Sequence, residues 1–276
     1  MTDSIVLLAV IGILVGGLGT LIGAGGGFIL VPVLIFMYPD LQPESITAVS
    51  MAIVACNALS GTIAYAGAKR IDYKAGIQFA VFTMPGSILG VIITRYIPKQ
   101  VFTIIFGALL VVLALYLLLK KGGRKQAVIE HRKGGGWQER VLVDKEGEAY
   151  HYSFNQWLGW GISLIVGFVS PILGIGGGII HVPALINWLR FPVHVATATS
   201  HFILAVMSIV SVVVHMIQGS YHDPLVERLV IWLGLGAIAG AQGGAYFSGR
   251  VRGHAIERAL AVSLGLVGIR ILLGHH

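Results

Sequence analysis

Charge is scarce in this chain: only 11% of its 276 residues are Asp, Glu, Lys or Arg, where a soluble domain carries about a quarter. There is one cysteine, Cys56, which excludes an internal disulfide and a cysteine-based metal finger. Lying inside an apolar run, it reads as a small buried residue. The glycine cluster at 23–27 lacks the Lys-Ser/Thr of a phosphate loop, so any work the protein does draws on a gradient or a partner subunit. The glycines have no three-residue period, which removes collagen. The long apolar runs also lack carboxylates. Asp3, Asp40, Glu44, Asp72, the group between 130 and 148, Asp223, Glu227 and Glu257 all fall in loops or at run ends. A sodium or metal-cation carrier, or a carboxylate proton relay, needs an acid at depth. A cationic cargo is therefore disfavoured.

Apolar surface and glycine are abundant. Hydrophobic residues make up 56% of the chain, with 38 glycines and a mean hydropathy of +0.85. A chain that confines its charge to short gaps between apolar runs is solvated by lipid along most of its length, and glycine lets membrane helices approach closely. The net charge of +7 is concentrated between Lys120 and Lys145 and beside the apolar runs. It reads as a topology signal rather than a nucleic-acid surface. Met1-Thr2-Asp3-Ser4 is not a basic n-region, so the first run is expected to be a retained span, not a cleaved signal peptide.

A membrane helix needs roughly 20 apolar residues. Single spans are expected at 45–66, 75–95, 99–119, 195–217, 228–249 and 255–273. Residues 4–37 and 156–189 are too long for one span and short for two, and each is interrupted by a glycine cluster. The first cluster reads Gly23-Ala24-Gly25-Gly26-Gly27-Phe28-Ile29-Leu30-Val31-Pro32, the second Gly174-Ile175-Gly176-Gly177-Gly178-Ile179-Ile180-His181-Val182-Pro183. Glycines, valine and proline coincide at one offset. Thr47-Ala48-Val49-Ser50 then matches Thr197-Ala198-Thr199-Ser200, and Gly86 and Gly90 match Gly240 and Gly244. The expected fold class is an all-α polytopic membrane protein of two homologous repeats, 1–120 and 155–276. Each repeat holds a glycine-broken hairpin or broken helix plus three transmembrane helices. Between them, 121–154 is water-soluble, with a β-hairpin signal in the alternation of Gln138–Asp144 and Ala149–Phe154. It is a small cytoplasmic cap or an interaction surface, or else a solvated, passive linker.

Whether the repeats are parallel or inverted depends on the broken runs. A single broken span makes them parallel; a hairpin that leaves on the side it entered makes them inverted. Lys and Arg favour the cytoplasmic side, and inversion gathers more of the 19 there by moving Arg250, Arg252 and Arg258 inside. Inversion is the expectation, with 121–154 cytoplasmic in either case. Hairpins from opposite faces bring non-helical backbone together near the midplane, where it is tolerated only inside protein or beside a wet cavity.

Without acids, an anion can be held by glycine N–H groups, helix N-termini and hydroxyls. The candidate binding residues are Gly23, Gly25, Gly26, Gly27, Thr47 and Ser50 in the first half, with Asn57 seven residues beyond Ser50 on about the same helix face. In the second half they are Gly174, Gly176, Gly177, Gly178, Thr197, Thr199, Ser200 and His201. The alternative is close helix packing for the glycines and N-capping for the hydroxyls. His181, His201 and His215 are candidates for proton coupling; for each, a satisfied interhelical hydrogen bond is the plain alternative. No metal site and no cofactor are expected.

At its glycine motifs the sequence resembles the TauE/SafE family, also called the 4-toluene sulfonate uptake permease family. The resemblance spans nearly the whole chain: the duplicated G-x-G-G-G-x-x-x-V-P element, the Thr/Ala/Ser helix start and the Gly86 and Gly240 regions. It implies a membrane carrier of sulfite, sulfoacetate, aryl sulfonates or related organosulfur anions, often exported; the residues themselves reach only a small anion. The expected partners are such an anion, protons and the lipid bilayer, with homo-oligomerisation left open and nucleic acid excluded. The competing classes are a passive anion channel and a membrane haem protein, the latter suggested by His201 and His215 on one helix, with His181 and His194 crossing a break.

Overall fold

The computed structural model describes residues 4–119, 135–248 and 253–273. The basic stretch from Lys120 to Lys133, the arginines at 250 and 252 and the terminal His275-His276 lie outside the described residues. The first half runs α1 (Ile5–Ile22), α2 (Gly27–Met37), α3 (Pro43–Gly67), α4 (Tyr73–Thr94) and α5 (Lys99–Leu119). An antiparallel hairpin follows, β1 (Trp137–Val143) and β2 (Ala149–Asn155), with Trp137 opposite Asn155. The second half runs α6 (Gln156–Leu173), α7 (Gly178–Asn187), α8 (Val193–Ile217), α9 (Pro224–Ser248) and α10 (Gly253–Leu273). Among the described residues 7 helices are long and apolar enough to cross a membrane, while α2 and α7 are short apolar helices.

Local chemistry sets the boundaries. Pro43 opens α3 at its first turn, where a missing N–H costs nothing. Asp72 caps α4 by accepting from Ala75 N, and Asn155 caps α6 by accepting from Trp157 N and Leu158 N. Each broken run stops and restarts on glycine. Gly23 ends α1 at φ 82° and Gly26 precedes α2 at φ 82°; Gly174 ends α6 at φ 66° and Gly177 precedes α7 at φ 69°. With Gly25 and Gly176 also left-handed, six positions in two tight reversals require residues without a Cβ.

Helix directions follow from what the ends touch. The α3–α4 loop meets the β-hairpin, where Lys145 N–H donates to Ala68 O at 3.1 Å and Arg70 pairs with Asp144 at 3.2 Å. Phe191, just before α8, packs against Tyr152 and Phe154. So α6 leaves the hairpin and α7 returns to it, and the 156–189 run enters and exits on one face. At the opposite face Ser220 donates to Glu44 Oε1 at 2.8 Å, and Tyr221 donates to Ala48 O. There α3 begins and α8 ends, so these two helices are antiparallel. Helix α1 climbs beside α9, Gly12 near Leu233 and Gly16 near Ala237, and α2 returns toward the start of α3. The first broken run is thus a hairpin from the face opposite the second.

Small residues hold the helix pairs together. Gly236, Gly240 and Gly244 of α9 meet backbone carbonyls of α1, and Gly86 and Gly90 of α4 meet those of α6. Lipid supplies no hydrophobic drive between helices, so this close contact is a main source of cohesion. The β-hairpin presents Tyr150, Tyr152 and Phe154 inward. Asp144 sits at its turn, accepting from Glu146 N, Glu148 N and Arg70. Burial alone would raise its pKa, but these bonds and the Arg70 charge outweigh it and hold the carboxyl below its ordinary 3.8. Tyr152 donates to Asp72 Oδ2 at 2.7 Å; burial, then the Asp72 charge, drives its hydroxyl pKa upward.

Candidate functional site

The two glycine turns meet inside the bundle, reciprocally. A Cβ on Gly27 would press on Gly174 O, Ile175 C and Ser50 Oγ, and one on Gly178 would press on Gly23 O, Leu204 Cδ1 and Ala24 Cα. Gly25 and Gly176 both face Val54, and Gly25 also faces Leu204. The point of closest approach is therefore filled by two aliphatic side chains and by backbone. Turn bonds use Gly23 N, Ala24 N and Gly25 N, and likewise Gly174 N, Ile175 N and Gly178 N. They leave Gly26, Gly27 and Phe28, and Gly176, Gly177 and Ile179, without a backbone acceptor among the described residues. These are the opening N–H groups of α2 and α7, which a helix cannot satisfy internally.

The hydroxyl candidates divide. Thr47 donates back to Pro43 O at 2.9 Å and Thr197 to Val193 O at 2.9 Å, within their own helices. Ser50 donates to Gly174 O at 2.5 Å, tying α3 to the second turn. Thr199 accepts from Asp72 N at 3.0 Å, tying α8 to the α3–α4 loop. Ser200, by contrast, is fully buried with no partner. Asn57 accepts from Thr20 Oγ1 at 2.5 Å through Oδ1, while its Nδ2 is buried and unpaired. His201 is fully buried between Gly61 and the edge of Tyr65, with both ring nitrogens unpaired. An unmet buried polar group costs about 1–3 kcal/mol, and such groups mark places where a ligand or another conformation supplies the partner.

His181 stays at the second turn, and His215 lies apart. His181 contacts Ser163 Oγ at 3.3 Å and lines a narrow seam with Thr83, Val166, Gly176, Gly177, Ile203, Leu204 and Met207. His215 meets Ser220 Oγ at 3.2 Å near the face opposite the β-hairpin, and Ser220 donates onward to Glu44. Arg95 stands 3.9 Å from the same carboxylate. Thus the structure gathers the glycines, Ser50, Asn57, Ser200 and His201 around the crossed turns, keeps His181 beside Gly176 and Gly177 of the second turn, and leaves His215 near one face. Sequence reasoning passed over Thr20, Val54, Gly61, Tyr65 and Leu204. Thr20 sits three residues before the Gly23 turn, a signal that a closer reading of the flank would have used; the others gain meaning only by contact.

Crossed glycine-broken hairpins inside a bundle of apolar helices long enough to span a bilayer define a polytopic membrane protein. The chain belongs to the family described as sulfite exporter TauE/SafE, whose model matches residues 8–271. It is 34% identical to the probable membrane transporter protein YunE of Bacillus subtilis, over 98% of this chain and 94% of that protein. A probable membrane transporter protein of Methanocaldococcus jannaschii is 27% identical over 74% of this chain and 69% of its own length. One from Xylella fastidiosa is 23% identical over 94% and 91%. No solved structure matches. The protein is a multi-pass membrane transporter of the inner membrane.

Proposed function

We propose that this transporter is a secondary carrier of small sulfur-containing oxyanions, sulfite or an organosulfonate, working as an exporter and binding its cargo at the crossed glycine turns. The carrying observation is the donor set: the opening N–H groups of α2 and α7, Asn57 Nδ2, Ser200 Oγ and His201 are buried without partners. Among the described residues no Asp or Glu accompanies them. Amide and hydroxyl donors at helix N-termini favour an anion, and half-helices that start at depth are a recurring way to present them. The family description points to sulfite in particular. Residues 1–120 and 155–276 are read as homologous repeats of inverted topology, joined by 121–154 on the cytoplasmic side. The opposed hairpins and the exchange of packing partners (α1 on α9, α6 on α4) support that reading. His181 and His215 remain candidates for coupling the cycle to protons.

Flux into proteoliposomes tests the assignment. Sulfite, sulfoacetate and an aryl sulfonate should move saturably and exchange with unlabelled substrate, while sodium and calcium should not move. Flux linear in concentration without exchange would make the protein a channel. Transport of none of these anions would remove the sulfur-anion assignment.

A further inference from the structure

The candidate donors are sealed from both faces. Asn57, Ser200 and His201 are 0% exposed, so cargo reaches them only after a contact at one face opens. The contacts that close the two faces occupy matching positions. In register with the match of Ser50 to Ser200, Ile71 corresponds to Tyr221 and Ala48 to Ala198. On the hairpin face the α3–α4 loop lies on the start of α8. Ile71 is buried there with Ala198 and Tyr65, and Asp72 N–H donates to Thr199 Oγ1 at 3.0 Å. On the opposite face the α8–α9 loop lies on the start of α3, where Tyr221 donates to Ala48 O at 3.0 Å.

Among the described residues only the first of these contacts carries a cover. The β-hairpin sits over it and grips both sides. On the loop side Tyr152 donates to Asp72 Oδ2 at 2.7 Å, Arg140 Nε stands 3.6 Å from the same oxygen, and Arg70 pairs with Asp144 at 3.2 Å. On the α8 side Tyr152 and Phe154 pack on Phe191, with ring centroids 4.6 and 5.0 Å apart. Asp72 is the junction. Its Oδ1 caps α4 by accepting from Ala75 N, its own N–H reaches α8, and its Oδ2 faces the hairpin. A buried carboxylate is tolerated only while its partners stay in place, so Asp72 ties loop, helix and hairpin into one arrangement. The loop beneath is strained. Lys69 has a left-handed φ of 56°, whereas its counterpart Gly219 takes φ 79° with no Cβ to obstruct it. The bond from Lys145 N–H to Ala68 O holds the backbone beside that residue.

We propose that Asp72, Tyr152 and Arg140 form a latch with which the β-hairpin holds the gate on its own face shut. The gate opens when the hairpin lifts off the α3–α4 loop, and cargo then passes between that loop and α8 to the crossed turns. The opposite gate has no such latch, so the hairpin biases the resting protein against opening on its own side. The route of the cargo rests on the carrier reading; the latch itself does not.

The test uses the full-length protein lacking Cys56, with a reporter cysteine under each gate: Ala198→Cys beneath the α3–α4 loop and Ala48→Cys beneath the α8–α9 loop. A buried thiol reacts in proportion to how often its cover opens. Tyr152→Phe keeps the ring and removes the bond to Asp72. It should speed labelling of Ala198→Cys about tenfold, the loss of one hydrogen bond to a charged group. Arg140→Gln should speed it severalfold, and neither should speed labelling of Ala48→Cys. Deuterium exchange at residues 70–76, in protein without a reporter, should rise in step, and it decides where a reporter variant does not fold. A short bismaleimide joining Ala68→Cys to Lys145→Cys should stop anion flux in proteoliposomes, while either single variant treated alike should keep it. Unchanged labelling and exchange in Tyr152→Phe, equal acceleration at both gates, or undiminished flux in the bridged protein each overturns the latch. No anion flux in the unbridged protein removes the carrier reading instead, and labelling and exchange then decide the latch alone.

Discussion

Gly27→Ala is the sharpest probe of the crossing itself. Gly27 is the first residue of α2 and has ordinary helical backbone, so alanine brings no left-handed strain there. The obstacle is space. The new methyl would stand closer than 3.0 Å to Gly174 O and to Ile175 C, and those atoms belong to the backbone of the other turn, which cannot rotate away. Overpacking of this kind costs about 1–3 kcal/mol, against at most about 1 kcal/mol regained from glycine's lost backbone freedom. A net loss of about 1–2 kcal/mol should lower the melting temperature by roughly 2–8 °C for a chain of this size. Gly178→Ala, pressing on Gly23 O and Ala24 Cα, should behave alike, and the pair should not add, because both strain one contact. Gly161→Ala and Gly243→Ala are the controls: nothing lies within 4 Å of either added Cβ, so each should be neutral or gain up to about 1 kcal/mol. The readout is thermal unfolding in detergent beside proteoliposome flux. If Gly27→Ala and Gly178→Ala melt like the controls, the turns do not touch through their backbones and the crossing argued here is wrong.

Two further outcomes concern the faces. In a variant lacking Cys56, a cysteine at Gly147 should react with an impermeant thiol reagent only after permeabilisation, and one at Ser220 should react from outside intact cells. The same accessibility for both would remove the opposed hairpins. The β-hairpin turn should also be acid-sensitive. Because Asp144 has its pKa lowered in the folded protein, its contribution is fully present above the unfolded value and is lost as pH falls through the lower folded value. Hydrogen exchange at Tyr150–Phe154 should therefore accelerate in acid below the ordinary Asp range, and Asp144→Asn should show the faster exchange already at neutral pH. Exchange in the wild type that is flat through that range would detach the carboxylate from the hairpin's stability.

Much of the architecture is legible in one dimension, because lipid imposes it locally. Span length follows from bilayer thickness, so the expected 45–66, 75–95 and 195–217 appear as Pro43–Gly67, Tyr73–Thr94 and Val193–Ile217. The breaks at 23–27 and 174–178 are legible because only glycine takes left-handed backbone freely. The strand alternation at 138–154 yields a hairpin because the period of two survives without tertiary help. The candidate site is another matter. Nothing in Thr47, Ser50, Thr197 or Ser200 taken alone says that two hydroxyls turn back on their own helices, one bridges to Gly174 O and one stays unpaired. Repeat matching makes Ser50 and Ser200 alike, yet Ser50 finds its partner on a segment more than a hundred residues away while Ser200 finds none. The glycine clusters are likewise ambiguous in sequence, where packing and anion binding ask for the same residue. Composition and periodicity by themselves determine a membrane bundle that keeps its carboxylates at run ends and is broken twice by glycine, since those properties act within a few turns of one helix. Only the tertiary structure decides that Val54 and Leu204 fill the crossing, and that the unpaired donors gather beside Asn57 and His201. Hydrogen-bond satisfaction depends on which remote backbone arrives at each side chain.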